Sequence, residues 1–126
     1  MSRRFTTRMA TTPKLKMIYF AVRAKAEPPR MILEYGKIPY EDVSVSQYFK
    51  MSWPEVKKAG LVPFGQLPCL DVDGQLLAQE AAIAQFCAQL VPSLIPEDPL
   101  ERARCESIYH AGEELFISNP LVNVYR

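Results

Sequence analysis

The 126-residue sequence has few of the residues from which metal and redox sites are usually built. It contains one histidine and three cysteines, Cys69, Cys87 and Cys105, which are widely spaced and form no C-x-x-C pair. We therefore expect no metal site, no disulfide framework and no thioredoxin-type redox centre. The cysteines are interpreted as reduced, small core residues. No apolar run approaches the roughly 18 residues of a membrane span, so we expect no transmembrane helix.

The first 25 residues contain no acidic residue but seven of the 15 Lys and Arg residues. The rest of the chain holds all 14 acidic residues and is therefore acidic. Residues 1–14 lack the apolar centre of a secretory signal, which leaves two interpretations: a flexible basic extension, or the remnant of a mitochondrial or plastid targeting segment. We expect an intracellular protein, cytoplasmic or organellar, and nothing in this composition favours nucleic-acid binding.

Three segments have the residue pattern of β-strands. "LKMIYF" at residues 15–20 is rich in β-forming residues, and "EDVSVS" at residues 41–46 alternates, with Val43 and Val45 on one side. "LPCLDVDGQLLAQ" predicts two strands joined at Asp73-Gly74, a dipeptide that strongly favours a two-residue hairpin turn.

Helical patterns lie between and after these strands. "EPPRMILEYG" predicts a helix with Met31, Ile32 and Tyr35 facing inward and Gly36 as its stop. "SWPEVKKAG" predicts a short helix with Ser52 as its N-cap, and "EAAIAQFCAQL" predicts a third, amphipathic helix. The resulting order, β-α-β-α-β-β-α, implies one right-handed parallel crossover followed by an antiparallel hairpin.

The chain length limits the protein to one complete domain. We place a basic extension at residues 1–14, an α/β domain with a mixed four-stranded sheet at residues 15–91, and a linker and first helix of a further all-α region at residues 92–126. The apolar positions expected to be buried on that last helix are Ala103, Ile108, Leu115 and Phe116.

Four segments together carry a family resemblance: "YFAVRAKAEPPRMILEYGKIPYED", "WPEVKK", "PFGQLPCLDVDG" and "LAQEAAIAQF". In this order and spacing the chain resembles the N-terminal, glutathione-binding half of glutathione S-transferases. It is most similar to the sigma class, which includes the glutathione-dependent prostaglandin D synthases. The resemblance implies a thioredoxin-like βαβαββα fold, glutathione as co-substrate and no metal.

The same resemblance implies roles for individual residues. Tyr19 would be catalytic, donating a hydrogen bond to the glutathione sulfur and favouring its thiolate form. A cis Leu67–Pro68 bond would leave the Leu67 backbone free to pair with the extended tripeptide. The other residues expected to contact glutathione are Lys25, Trp53, Lys57, Gln66, Pro68, Gln79 and Glu80. Alternative interpretations stay open here, namely a buried tyrosine for Tyr19 and a packed indole for Trp53.

The chain departs from the family pattern in two places. An Arg-Gly-Arg motif is common after the tyrosine, whereas this chain has Ala24 in place of the glycine and Lys25 in place of the second arginine. Glu80 replaces a serine that receives the γ-glutamyl carboxylate of the ligand at a helix N-terminus. A glutamate there would repel that carboxylate unless it points to water.

Two functions are consistent with these residues. The first is a glutathione S-transferase or glutathione-dependent isomerase, whose partners would be glutathione and a small electrophile. The second is a catalytically weak or inactive transferase-like subunit or adaptor of a larger complex. In both cases we expect a protein partner, either a second copy of the chain or a larger assembly.

Overall fold

The computed structural model of the protein describes residues 11–118, which form two compact units. The first unit ends at Pro92 and the second begins at Ser93. Most of the predicted basic extension, residues 1–10, lies outside the described residues, so its interpretation stays a prediction. Within residues 11–118, no helix is both long enough and apolar enough to cross a membrane.

Four strands of the first unit form one mixed sheet in the order β2-β1-β3-β4. Strand β1 is parallel to β2 and antiparallel to β3, and β3 is antiparallel to β4. This arrangement confirms the predicted α/β class, with its single parallel crossover and its hairpin. The strand bounds are Leu15–Ile18 (β1), Glu41–Val43 (β2), Cys69–Val72 (β3) and Gln75–Ala78 (β4).

Helices cover both faces of this sheet. Met17 of β1 belongs to a buried cluster with Leu33 and Ile83, whereas its neighbour Ile18 belongs to a second cluster with Val45 and Val56. Successive strand residues point to opposite faces, so the two clusters lie on opposite sides of the sheet. The helices of this unit are Glu27–Tyr35 (α1), Val45–Phe49 (α2), Trp53–Lys58 (α3) and Glu80–Gln89 (α4), with short 3-10 helices at Ala24–Ala26 and Pro63–Gly65; a further 3-10 helix, Pro92–Leu94, begins at the last residue of the unit.

The second predicted strand is shorter than its alternating pattern indicated. It ends at Val43, and Ser44 caps helix α2 instead of continuing the strand. The Ser44 hydroxyl accepts a hydrogen bond from the Gln47 backbone N–H at 3.2 Å, and the Gln47 side chain accepts one from the Ser44 N–H at 2.9 Å. This reciprocal capping box satisfies two backbone donors and overrides the alternation.

The buried face of α1 also differs from the prediction. Met31 and Tyr35 are 63% and 69% exposed, whereas Pro29 and Leu33 are buried. Ile32, the third predicted residue, is partly buried against the first cluster. The apolar residues of this helix surround it on several sides, so spacing alone did not identify the buried side.

The hairpin turn is confirmed by its backbone. Asp73 and Gly74 have φ values of 50° and 88°, and positive φ at both central residues is typical of the type I′ turn. The buried Asp71 carboxylate holds the turn in place, accepting hydrogen bonds from the Gly74 N–H at 2.6 Å and from the Tyr48 hydroxyl at 2.6 Å. The bond to Asp71 raises the pKa of Tyr48 to about 12.

The cysteines were correctly predicted to be unpaired, but only two of them are core residues. Cys69 and Cys87 are buried, and burial raises their pKa values to about 11 and about 12 respectively. Both are therefore thiols at neutral pH and poor nucleophiles. Cys105 is exposed on the helix that follows the first unit, so its interpretation as a core residue is wrong.

Helix α5, Pro99–Ser118, makes up most of the second unit. Asp98 caps it, its carboxylate accepting a hydrogen bond from the Glu101 N–H at 2.9 Å. None of its residues is buried, and Ile108 and Leu115 are each 73% exposed. The predicted buried face is therefore not observed on this helix.

Position 36, where α1 ends, is a glycine for a reason that differs from the predicted one. Its φ of −80° is an ordinary right-handed value, so the chain conformation does not require glycine there. A Cβ atom at this position would instead overlap with Cγ2 of Val91, well inside van der Waals contact. Close packing of the end of α1 on the buried Val91 side chain therefore requires a glycine.

We predict that Gly36→Ala lowers the free energy of unfolding of the first unit by about 1–3 kcal/mol, the usual range for overpacking a filled core. Urea unfolding measures the change. Because Val91→Ala removes the methyl groups in conflict, the Gly36→Ala substitution should be much less destabilising in a Val91→Ala background. Equal destabilisation in both backgrounds would contradict this explanation.

Candidate functional site

The pairing register gathers the predicted site at one end of the sheet. Ile18 of β1 pairs with Val43 of β2 and with Cys69 of β3, and Cys69 pairs in turn with Ala78 of β4. These four residues form one row across the sheet. The residues just beyond that row are Tyr19, Ser44, Pro68 and Gln79. Segments far apart in the sequence therefore meet here.

Tyr19 directly follows β1 and is only 8% exposed. Its backbone N–H donates to the Val43 carbonyl at 3.2 Å, which continues the ladder between β1 and β2 by one residue. The backbone of Lys25 lies near its phenolic oxygen and favours the phenolate, as an N–H donor does. A phenolic oxygen that accepts such a bond keeps its own hydrogen available to another acceptor.

The pKa of Tyr19 is nevertheless raised above its ordinary value, chiefly by burial. The Lys25 backbone hydrogen bond and the positive charge of Arg30 oppose this increase, whereas the negative charge of Glu80 adds to it. The phenol is therefore fully protonated at neutral pH. It can act as a hydrogen-bond donor to an anion, but it cannot act as a base.

A groove of about 460 Å³ opens beside Tyr19. Its walls come from the loop after β1 and from the residues where β2 turns into α2. Tyr19 is one of its lining residues, but the other predicted ligand contacts do not line it. The lining residues are Tyr19, Phe20, Ala21, Val22, Arg23, Arg30, Asp42, Val43, Ser44 and Gln47.

The segment before β3 places Leu67 and Pro68 next to Tyr19. The Leu67–Pro68 peptide bond is cis, as the resemblance implied. Pro68 is buried, Gln66 is exposed, and Leu67 packs against both hydrophobic clusters, one of which contains Tyr19. Leu67 therefore lies at the junction of the two faces of the sheet.

Trp53 and Lys57 lie on α3. The Trp53 indole is half-buried against the second cluster and meets the Phe20 ring edge to face, with 6.1 Å between ring centroids. Lys57 is exposed, and its aliphatic stem comes within about 4 Å of the position a Cβ would occupy on Gly65. The indole thus touches the residue after Tyr19, while the ammonium group extends beside the Pro63–Gly65 turn.

Gln79 and Glu80 begin helix α4. Gln79 is exposed and has an unusual backbone, with φ 74° and ψ 115°. Glu80 is the first helical residue and is only 7% exposed, so the alternative in which its side chain points to water is wrong. Its carboxylate lies at the positive end of the α4 dipole and close enough to Tyr19 to raise the pKa of that phenol.

The loop between β1 and α1 contains a residue in a strained conformation. Ala24 has a φ of 33°, a left-handed value that glycine adopts more easily than any residue with a Cβ. This is the position where the related motif has glycine, so the chain keeps a glycine-type backbone there despite the alanine. Lys25 follows it and is partly buried.

Sequence reasoning missed Arg30, which contacts the predicted site directly. Its guanidinium carbon lies 5.9 Å from the centroid of the Tyr19 ring, and its side chain also lines the groove. A pattern based on apolar spacing in α1 treats this arginine as a solvated side chain. No feature of the α1 sequence itself distinguishes Arg30 from a solvated arginine.

Within residues 11–118, no group of three or more His, Cys, Asp or Glu side chains is arranged to hold a metal ion.

Two curated relatives are similar to most of this chain in sequence. A glutathione S-transferase 1 from Ascaris suum is 36% identical over 97 residues, which cover 77% of this chain and 44% of the relative. A hematopoietic prostaglandin D synthase from Gallus gallus is 32% identical over 108 residues, which cover 86% of this chain and 51% of the relative. The chain spans about half the length, or less, of the curated relatives it matches. No protein-family profile matches it.

Solved structures of a prostaglandin D synthase and a glutathione S-transferase superimpose on this chain. The rat prostaglandin D synthase hPGDS, solved with a quinoline, superimposes with a TM-score of 0.73 and 31% identity over 86% of this chain and 52% of its own. A glutathione S-transferase of the nematode C. elegans gives a TM-score of 0.67 and 36% identity over 81% of this chain and 47% of its own. The chain therefore belongs to the glutathione S-transferase family and carries the thioredoxin-like α/β fold.

Proposed function

We propose that this chain is a sigma-type glutathione transferase that binds glutathione at the end of the sheet and activates its thiol through Tyr19. The observation that carries the proposal is the position of the phenol. Tyr19 is buried directly after β1, beside the row of paired residues that also leads to Pro68 and Gln79, and burial keeps its hydroxyl protonated, so its hydrogen can be donated to a ligand. Among the relatives, the named glutathione transferases and prostaglandin D synthases support the assignment.

The proposed chemistry needs only a hydrogen bond. Donation from the Tyr19 hydroxyl to the glutathione sulfur favours the thiolate, and the thiol proton leaves to solvent. The thiolate then attacks an electrophilic carbon of a small second substrate, forming a C–S bond while a leaving group departs with the electron pair of the broken bond; the conjugate is the product. In an isomerisation, the attack opens a bond within the substrate, and the sulfur is later expelled as thiolate when a different bond forms.

The rest of the tripeptide would bind as an added strand. The Leu67 backbone next to Pro68 would pair with the cysteinyl unit, and the exposed Gln66 would lie alongside it. Trp53, Lys57 and Lys25 would surround the glycyl carboxylate, with the two lysines supplying positive charge. Gln79 would contact the γ-glutamyl end at the start of α4.

Glu80 opposes this binding mode. Its buried carboxylate occupies the helix N-terminus that would otherwise receive the γ-glutamyl carboxylate of the ligand. Two carboxylates about 4 Å apart repel by roughly 4 kcal/mol at an effective dielectric of 20. That energy corresponds to on the order of a thousandfold in affinity. We therefore propose that Glu80 makes glutathione binding weak rather than supporting it.

The electrophile and any protein partner are also part of this proposal, because the chain spans only about half the length of its relatives. We propose a second copy of the chain, or a larger assembly, as the protein partner. Experiments on the thiol itself do not depend on that partner, so they test the central step alone.

We predict that Tyr19→Phe leaves glutathione bound but raises the pKa of its thiol. Loss of a hydrogen bond to a charged group is worth about 1.5–3 kcal/mol, which corresponds to roughly 1–2 pKa units. Ultraviolet difference absorbance of the thiolate, titrated with pH at saturating glutathione, measures this shift. Tyr40→Phe is the matched control, because its hydroxyl bonds to Glu34. The same thiol titration in wild type and Tyr19→Phe would rule out the proposed role.

We predict that Glu80→Ser tightens glutathione binding by up to about a thousandfold, as measured by calorimetry. Glu80→Gln is the control that removes the charge without supplying a hydroxyl, and it should recover most of the gain. If neither the wild type nor either variant binds glutathione, the chain lacks a glutathione site, and the non-catalytic subunit is then the better interpretation.

A further inference from the structure

The structure contains a charged side chain that joins the three segments around Tyr19 and that the proposed mechanism does not use. Arg30 lies on α1, and its side chain is only 14% exposed. Its Nε donates to Oδ1 of Asp42 on β2 at 2.7 Å, and its Nη1 lies 3.4 Å from Oε2 of Glu27 on its own helix. The two carboxylates fix the direction of the guanidinium group.

The same guanidinium also holds the loop between β1 and α1. Its Nη1 donates to the Val22 carbonyl at 3.1 Å and reaches the Arg23 carbonyl at 3.5 Å. These two residues directly precede Ala24, whose left-handed φ of 33° is unfavourable without support from neighbouring groups. The next residue, Lys25, supplies the backbone hydrogen bond to the Tyr19 oxygen.

Arg30 also lies over the face of the Tyr19 ring. The distance from the guanidinium carbon to the ring centroid is 5.9 Å, within the range of a cation–π interaction. One planar, forked side chain thus contacts the ring, the loop that carries the Lys25 donor, and the neighbouring strand. A lysine could supply the charge but not these simultaneous bonds.

We propose that Arg30 is a positioning residue, which fixes the Tyr19 ring and the backbone of residues 22–25 so that the phenol hydrogen points to the thiol of the ligand. The inference rests on the proposed role of Tyr19 and deepens it. Arg30 acts through the tyrosine and touches neither the sulfur nor the electrophile. Its neighbours Glu27 and Asp42 keep the guanidinium in place.

The charges that act on Tyr19 come from two elements. Arg30 on α1 favours the phenolate, whereas Glu80 on α4 disfavours it, and the Lys25 backbone adds a hydrogen bond. Removing the arginine should therefore raise the pKa of Tyr19 further, and removing the charge of Glu80 should lower it. An Arg30 side chain that only stabilised the fold would leave the pKa of Tyr19 unchanged when it is removed.

The test measures the pH titration of Tyr19 by NMR, in protein carrying ¹³C at the tyrosine ring carbon bonded to oxygen. It compares Arg30→Met and Arg30→Lys with the wild type. The Tyr19→Phe spectrum assigns the Tyr19 signal. We expect the Tyr19 titration to shift to higher pH in Arg30→Met and to return toward the wild-type position in Arg30→Lys. Arg104→Met, which removes an exposed arginine paired with Glu101 on α5, should leave it unchanged. An unshifted titration in folded Arg30→Met overturns the proposal.

Hydrogen exchange of the Lys25 amide provides the second measurement. Arg30→Lys keeps the charge but loses the Nη1 group that bonds the Val22 and Arg23 carbonyls while Nε bonds Asp42, so this amide should exchange faster than in the wild type. Unchanged protection overturns the proposal even if Arg30→Met fails to fold. Neither measurement uses glutathione, so a protein that fails to bind the tripeptide still gives a readable result for Arg30.

Discussion

The pairing of β1 with its two neighbours is the constraint on which the rest of the site depends. Because Ile18 pairs with Val43 on one side and with Cys69 on the other, the chain segments that continue past this row emerge at one end of the sheet. A shift of one residue in the β1–β3 register would turn every β1 side chain to the opposite face of the sheet. It would place Tyr19 in the second cluster and away from Lys25.

That constraint also explains why the site combines main-chain groups with few side chains. A buried phenol between two opposing charges stays protonated, and in the proposed mechanism it donates its hydrogen to the thiol. The two charges come from helices on the same face of the sheet, Arg30 from α1 and Glu80 from α4. The two charges shift the pKa of Tyr19 in opposite directions.

Much of the architecture could be predicted from the sequence, because local chemistry specified it. The Asp73-Gly74 turn, the Ser52 cap and the α4 pattern each depend on residues a few positions apart. Predictions were wrong where a local pattern was compatible with two structures, as at Ser44, which caps α2 instead of continuing β2. They were incomplete where packing between distant residues determined the structure, as at Gly36 and Val91. The position of Arg30 depends on Asp42 and on loop carbonyls, which no helical periodicity encodes.

The most direct test of this account is a crystal structure of the chain with glutathione. We predict an extended tripeptide paired with the Leu67 backbone and its sulfur within hydrogen-bonding distance of the Tyr19 hydroxyl. Glutathione bound elsewhere, or bound at this end with its sulfur directed away from Tyr19, would contradict the account.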